Sequence, residues 1–383
     1  PFSTDGQHAA WRWFVNERLS RIALDAALLW RLEGMPSELA RASGILRGYA
    51  ARYDSYRERP RDGPNPGIAT YTTLDEAVWL LPLARAYDLV RRHLPEATAH
   101  EIAGNLFIPA AEHLIRHHYR GIHNFACWHN AAIGTVGLVL GRQDWVDFAI
   151  HGDFGFLAQL RDGVLADGLW YEGSFSYHFY ALAAMVALAQ SAYHLPGLAL
   201  HSHPRLQAML LSPILCAYPD GSLPATNDCW YFASLVGDCC HGVPPAAAFY
   251  EIAYAWYGDP RFAQVLNRAY EDRPRDSLEA LLFGQEGIPQ NDPSPPSSVH
   301  LPDSGYAILR PRTGTPSARQ SYILLKYGPH GGGHGHPDKL SLVIHAEGSR
   351  LSPDLGTPGY GLDLVDTWYR QTVGHTTLTI DGF

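Results

Sequence analysis

Residues 287–302, GIPQNDPSPPSSVHLP, separate two textures of sequence. The run holds five prolines and several serines and has no apolar periodicity. It reads as a linker, expected over residues 287–304. Upstream, Ala, Leu, Trp and Arg recur at helical spacing, and helices are expected over 8–32, 37–53, 74–94, 97–118, 124–140, 145–160, 174–195, 204–216, 244–257 and 260–270. Thr73 and Glu76 suggest a capping box at the third of these, and Pro82 suggests a kink inside it. Downstream, residues 306–310, 320–327 and 376–380 are short and rich in β-formers. Leu340, Leu342, Ile344 and Ala346 alternate with polar neighbours and line one face of a further strand. The class is therefore α+β with more than one domain. Many helices with short connections fit a bundle, a solenoid or an α/α barrel, and no fixed-period repeat favours the solenoid. The chain stops at Phe383 within strand texture, so the β domain is expected to continue.

Composition narrows the function. The chain has 383 residues, 46% hydrophobic and 17% charged, enough for a large core and too few charges for a disordered polyelectrolyte. A net charge of −9 argues against nucleic acid as a partner, but a local Arg/His pocket can still hold an anionic sugar. No run of apolar residues is long enough to span a membrane. Five cysteines without a CxxC spacing give neither a disulfide framework nor a cysteine zinc site. The sequence begins at Pro1 and reads as trimmed, which leaves periplasmic, secreted and cytoplasmic locations open. The pattern does not reveal an oligomeric state. Ten Trp, 21 Tyr and 14 Phe serve either a core or a groove whose ring faces stack on pyranoses.

Three segments carry chemistry. Gly333-His334-Gly335-His336 places two imidazoles in a glycine-rich stretch, read either as a surface loop or as ligands. His336 with Asp354 and His375 offers two nitrogens and one oxygen, a set zinc accepts with a position left over. Residues 121–130, GIHNFACWHN, open an apolar helix and put amide and imidazole groups beside orphan N–H donors, where a carboxylate can sit; ordinary capping by Asn124 is the plain alternative. Residues 167–182, DGLWYEGSFSYHFYAL, crowd Trp170, Tyr171, Phe175, Tyr177, His178, Phe179 and Tyr180 together, as a core helix or as a site.

The segments CWHNAAIGTVG, DGLWYEGSFSYHFYAL, HGHPDKLSLVIHAEGSRLSPDLGTPGYG and WYRQTVGHTTLTIDG resemble those of heparinase II/III-like polysaccharide lyases. The likeness covers residues from about 70 to 383, and TLDEAVWLLPLARAYDL leans toward the oligoalginate lyase branch. It implies an N-terminal incomplete α/α toroid over residues 1–286 and an antiparallel β-sandwich beginning at 305. It implies β-elimination on a uronic-acid glycan, alginate-like or heparin-like, giving C4–C5 unsaturated ends. By the same resemblance Tyr177 is the acid/base, and Asn124 neutralises the substrate carboxylate beside His123, with His129 as a rival. His334 is the active-site histidine, and His336, Asp354 and His375 hold one structural zinc ion per chain. Tyr360 is a second cleft tyrosine, with Tyr369 as competitor, and Arg370 contacts anionic substrate. Trp170 and His178 complete the expected substrate-binding set.

The chemistry suits these residue types. Removal of the C5 proton of a uronate builds enolate charge on its carboxylate, which amide and imidazole donors stabilise. A base takes that proton and an acid serves O4. A tyrosine acts as base only where neighbours favour phenolate, since its ordinary pKa is about 10. A zinc hydrolase is a poorer reading, because Lys339 stands where a metallo-β-lactamase-like motif has His. An α/α-barrel glycoside hydrolase would use paired carboxylates, for which Asp167 and Glu172 are the candidates. A glycan-binding protein without catalysis is the remaining alternative.

Overall fold

The computed structural model describes residues 5–58, 65–289 and 296–380. The chain forms two compact units, one made of Pro1–Gln159 with Ala187–Leu198 and the other of Leu160–Val186 with Ala199–Phe383.

The first unit is helical: α1 Asp5–Glu33, α2 Pro36–Ala50, α3 Thr73–Val90, α4 Glu96–Ile102, α5 Ile108–Arg116, α6 Asn124–Leu140, α7 Gln143–His151 and the single turn α8 Phe156–Ala158. Helix α1 packs on α2 and α3, α3 packs on α6, and α6 packs on α7. Helix α6 is buried on nearly every side, which its continuous Ala, Ile, Val and Gly sequence permits. The capping box at α3 sits one residue earlier than expected. Thr72 Oγ1 accepts from the Asp75 N–H at 3.2 Å, and Asp75 accepts from the Thr72 N–H at 3.2 Å. Glu76 faces inward instead. It is fully buried and accepts from the N–H groups of Ile68, Ala69 and Thr70 and from the hydroxyls of Tyr53 and Thr70. The α3 helix continues through Pro82.

Helix α9, Phe175–Ser191, begins in the second unit. That unit adds α10 Pro204–Cys216, α11 Ala246–Tyr257, α12 Pro260–Ala269 and α13 Leu278–Phe283. It also holds one antiparallel sheet in sequence order: β1 Val299–Leu301, β2 Tyr306–Leu309, β3 Tyr322–Lys326, β4 Ser341–Ala346 and β5 Ser349–Ser352. Strand β1 falls inside the stretch expected as linker, and 290–295 of that stretch lie outside the described residues.

Alternation assigns the faces of the sheet. Tyr306 and Ile308 of β2, Tyr322 and Leu324 of β3, and Val343 and His345 of β4 are buried. Leu342, expected to line a face with Ile344 and Ala346, does so on the opposite side, where it is exposed together with Leu309 and Leu351. Residues 376–380, expected as a strand, form none: Thr376 offers its carbonyl to the Leu342 N–H but no ladder follows.

Candidate active site

Two loops of the second unit meet through glycines. Gly173 has φ +73°, and a Cβ there would lie 2.5 Å from Asn227 Nδ2; Gly331 has φ +79°, and a Cβ there would lie 2.5 Å from the Glu172 carbonyl oxygen. Only bare backbone allows this approach. It carries the turn Gly332–His334 to the start of α9, where the Tyr177 and His334 rings stack at 3.5 Å between centroids and 17° between planes.

From there a hydrogen-bonded chain runs inward. The Tyr177 and Tyr360 hydroxyls are 2.5 Å apart, and the Tyr360 hydroxyl lies 3.1 Å from His334 Nδ1 and donates to Asp228 Oδ2 at 3.2 Å. His334 Nδ1 is 2.9 Å from the same Asp228 oxygen, and Arg370 Nη2 donates to it at 3.3 Å. His334 Nε2 faces Glu172 Oε1 at 3.6 Å. Burial pushes the Asp228 carboxyl up, but its bonds from His334 and His336 and the nearby Arg370 outweigh this and hold it far below the usual range. Burial pushes the Tyr177 phenol well above its ordinary value; the bond with Tyr360 opposes this, and the charges of Asp228 and Glu172 add to it. In this arrangement burial and the neighbouring carboxylates oppose ionisation of Tyr177, the direction that favours the phenol over the phenolate.

Beside this chain lies a second cluster. One ligand atom from each of His336, Asp354 and His375 lies within 4.8 Å of the others. His336 Nε2 is 2.9 Å from Asp228 Oδ1, while its Nδ1 is buried without a hydrogen-bond partner among the described residues. His375 Nδ1 is 3.1 Å from Asp354 Oδ2, and its Nε2 is likewise buried and unpartnered among the described residues. Unpartnered buried imidazole nitrogens beside a carboxylate are what a cation site leaves when its ion is removed, and the donor set suits zinc.

The remaining expected residues fall differently. Trp170 is 1% exposed with its Nε1–H on Glu172, so its ring face is not open to a sugar. His178 is buried between the Trp170 N–H and the Met209 carbonyl, and burial lowers it to about 4. His129, in the first unit, is fully buried, accepts from the Tyr119 N–H and is lowered by burial to about 3. These three are core residues, a correction to their reading as substrate contacts. His123 is the N-cap of α6, its Nδ1 accepting from the Phe125 N–H, and Asn124 is the first, buried residue of that helix. Between Tyr360 and its competitor Tyr369, it is Tyr360 that reaches Tyr177. Arg370 is half-buried with Nη2 on Asp228 and the Gly333 carbonyl.

Sequence reasoning missed Asn227 and Asp228, both fully buried. Asn227, at φ +58°, donates to the Gly173 carbonyl and accepts from Lys326 Nζ and the His336 N–H. Lys326 in turn pairs with Asp338 at 2.5 Å in the interior. An Asn-Asp doublet after Pro224 reads by default as a turn. The usable signal was its setting in a run of Cys and aromatic residues.

A family profile described as alginate lyase matches residues 101–203, and one described as heparinase II/III-like, C-terminal, matches residues 293–383. Residues 293–383 thus resemble the C-terminal region of the heparinase II/III-like family. An alginate lyase of Stenotrophomonas maltophilia (strain K279a) is 28% identical across 96% of this chain, and an exo-oligoalginate lyase of Saccharophagus degradans is 27% identical across 96%. The chain spans about half the length of these relatives, 51% and 52%. The crystal structure of a heparinase III superposes with a TM-score of 0.62 at 15% identity, over 94% of this chain and 54% of that one, a likeness of fold.

Proposed function

We propose that this chain is a heparinase II/III-like polysaccharide lyase that cuts uronic-acid glycans by β-elimination. The observation that carries the reading is the stacked Tyr177–His334 pair, with the Tyr177 hydroxyl on Tyr360 and His334 Nδ1 on Asp228. A neutral phenol suits the acid that protonates the departing O4 as the C4–O4 bond breaks. His334, its Nδ1 held by Asp228, presents Nε2 as the base for the C5 proton, and the electrons of the C5–H bond form the C4=C5 double bond. Asn124 and His123 are assigned to the substrate carboxylate by the resemblance, and Arg370 to anionic sugar groups. Asn124→Ala is expected to lower turnover by roughly 100-fold, as loss of one oxyanion donor does.

The paired-carboxylate alternative finds no support. Both Asp167 oxygens are engaged by Ser304, through its N–H at 2.7 Å and its hydroxyl at 2.6 Å. A zinc ion held by His336, Asp354 and His375 would supply folding energy and fix the loop that bears His334. The domain division at 286 and 304, the toroid and the sandwich are part of the same proposal. The helix-on-helix packing of the first unit and the apolar outer face at Leu309, Leu342 and Leu351 support the two architectures.

The test is incubation with alginate, heparin, heparan sulfate, chondroitin and hyaluronan, followed by ultraviolet absorbance. An unsaturated uronide accumulating from at least one polymer is expected. Chain cleavage without that chromophore, or no product from any of them, overturns the assignment.

A further inference from the structure

We infer that Asp228 is a positioning residue that holds the site histidine His334 and the metal ligand His336 on a single carboxylate, making metal binding and His334 orientation interdependent. This rests on the lyase and zinc readings above. Asp228 Oδ1 takes His336 Nε2 and Oδ2 takes His334 Nδ1, each at 2.9 Å, and the Asp228 N–H donates to the His334 carbonyl at 3.1 Å. The residue thus fixes its partner loop through backbone and side chain together. A carboxylate accepts on both oxygens. Each imidazole must therefore give its bonded N–H to Asp228, which in the neutral ring leaves the lone pair on the opposite nitrogen: Nδ1 of His336, which has no hydrogen-bond partner among the described residues, and Nε2 of His334, on the side of Glu172. Carboxylates that orient a ligating imidazole in this way raise its basicity and set its tautomer. Here the same group sets a second imidazole that is not a ligand.

Asn227 keeps Asp228 in place. Its left-handed backbone turns the chain, and its side chain ties that turn to Gly173, Lys326 and His336. Arg370 and the Tyr360 hydroxyl also donate to Oδ2, so four side chains converge on this one carboxylate.

Asp228→Asn is the decisive substitution. A carboxamide has one acceptor oxygen and a donating NH2, so it cannot accept from both imidazoles. Zinc affinity, measured by competition with a chromogenic chelator, is expected to fall about 10- to 100-fold, and kcat per zinc-loaded molecule by a similar factor, with KM within about twofold. A role in folding alone would lower thermal stability and leave both quantities unchanged in the folded, loaded fraction. Wild-type values of both, or loss of only one, overturn the inference. A second measurement uses the unsubstituted protein, in case the variant fails to fold. Nitrogen-15 NMR of its histidines should show His334 as the Nδ1–H tautomer when zinc is bound and a changed His334 signal after chelation. An Nε2–H tautomer, or a signal indifferent to chelation, overturns the inference. A wild-type protein that takes up no zinc overturns it as well. Absence of unsaturated product from wild-type protein would instead remove the lyase reading while leaving the chelator and NMR results interpretable.

Discussion

Glu76 in the first unit and Asp228 in the second are both fully buried carboxylates, and their donors differ in kind and in origin. Glu76 is held by three backbone N–H groups from six to eight residues upstream and by two hydroxyls. Asp228 is held by two imidazoles, a phenol and a guanidinium that arrive from 106 to 142 residues away. Neutral, mostly local donors make a carboxylate a fastener for a turn. Reactive side chains gathered from distant segments make it the centre of a site. Burial alone does not separate the two cases; the chemistry of the donors does.

The largest expected effect lies on the Asp228 side. Tyr177→Phe keeps the ring stacked on His334 and removes the hydroxyl, so turnover should fall about 10²- to 10⁴-fold while the melting temperature stays near that of wild type. Retention of more than about a tenth of wild-type turnover would make Tyr177 a packing aromatic and void the contrast. Zinc removal comes next. One zinc per chain is expected by metal analysis, and stripping it, or His336→Ala, should cost about 3–4 kcal/mol of unfolding free energy if the ion is normally present at 100 to 1,000 times its Kd. A melting temperature indifferent to chelator would count against the cluster.

On the Glu76 side the sign pattern should invert. Glu76→Gln turns an amide NH2 toward donors and leaves at least one buried N–H unsatisfied, a loss of about 1–3 kcal/mol in stability. Turnover per folded molecule should be unchanged, and a fall in kcat would blur the distinction between fastener and site.

The smallest effect concerns the buried histidines His129 and His178, lowered by burial to about 3 and about 4. Unfolded histidine titrates near 6.5, so below that value the unfolded chain binds protons that the folded chain refuses. Their contribution is present above about pH 6.5 and is lost as pH falls toward 4 and 3, at up to about 1.4 kcal/mol per pH unit for each residue. His178→Gln should flatten that slope in acid unfolding curves; an unaltered slope would place the proton uptake elsewhere.

Much of the helical half was legible because periodicity and caps are local: Asn124–Leu140 and Pro204–Cys216 lie where the pattern placed them. The capping box slipped by one residue because Thr72 and Thr73 are equally good caps by type, and only the burial of Glu76 decides between them. In the sheet, alternation located β4 but not its buried side. An apolar series and a Ser-Val-His series compete there, and the inner face took Ser341, Val343 and His345. The resemblance brought Tyr177, His334 and Tyr360 into view, and the structure groups them. Trp170, His178 and His129 were misread because aromatic and imidazole groups serve cores and sugar sites alike. Asp228 was invisible because all its side-chain partners lie beyond 100 residues along the chain.

The Lys326 ammonium has a consequence for how β3 can pair. Lys326 is the last residue of that strand, opposite Tyr306 on one side and Ser341 on the other, and it is drawn inward by Asp338 and Asn227. A slip of one position along β2 or β4 would reverse which side chains point inward. The ammonium would then stand beside Ala307 or Leu342 on the outer face, and Asp338 would be left buried with no counter-charge. The pair therefore acts as a register lock: of the alignments that alternation alone permits, it admits the one that delivers His334 to Tyr177.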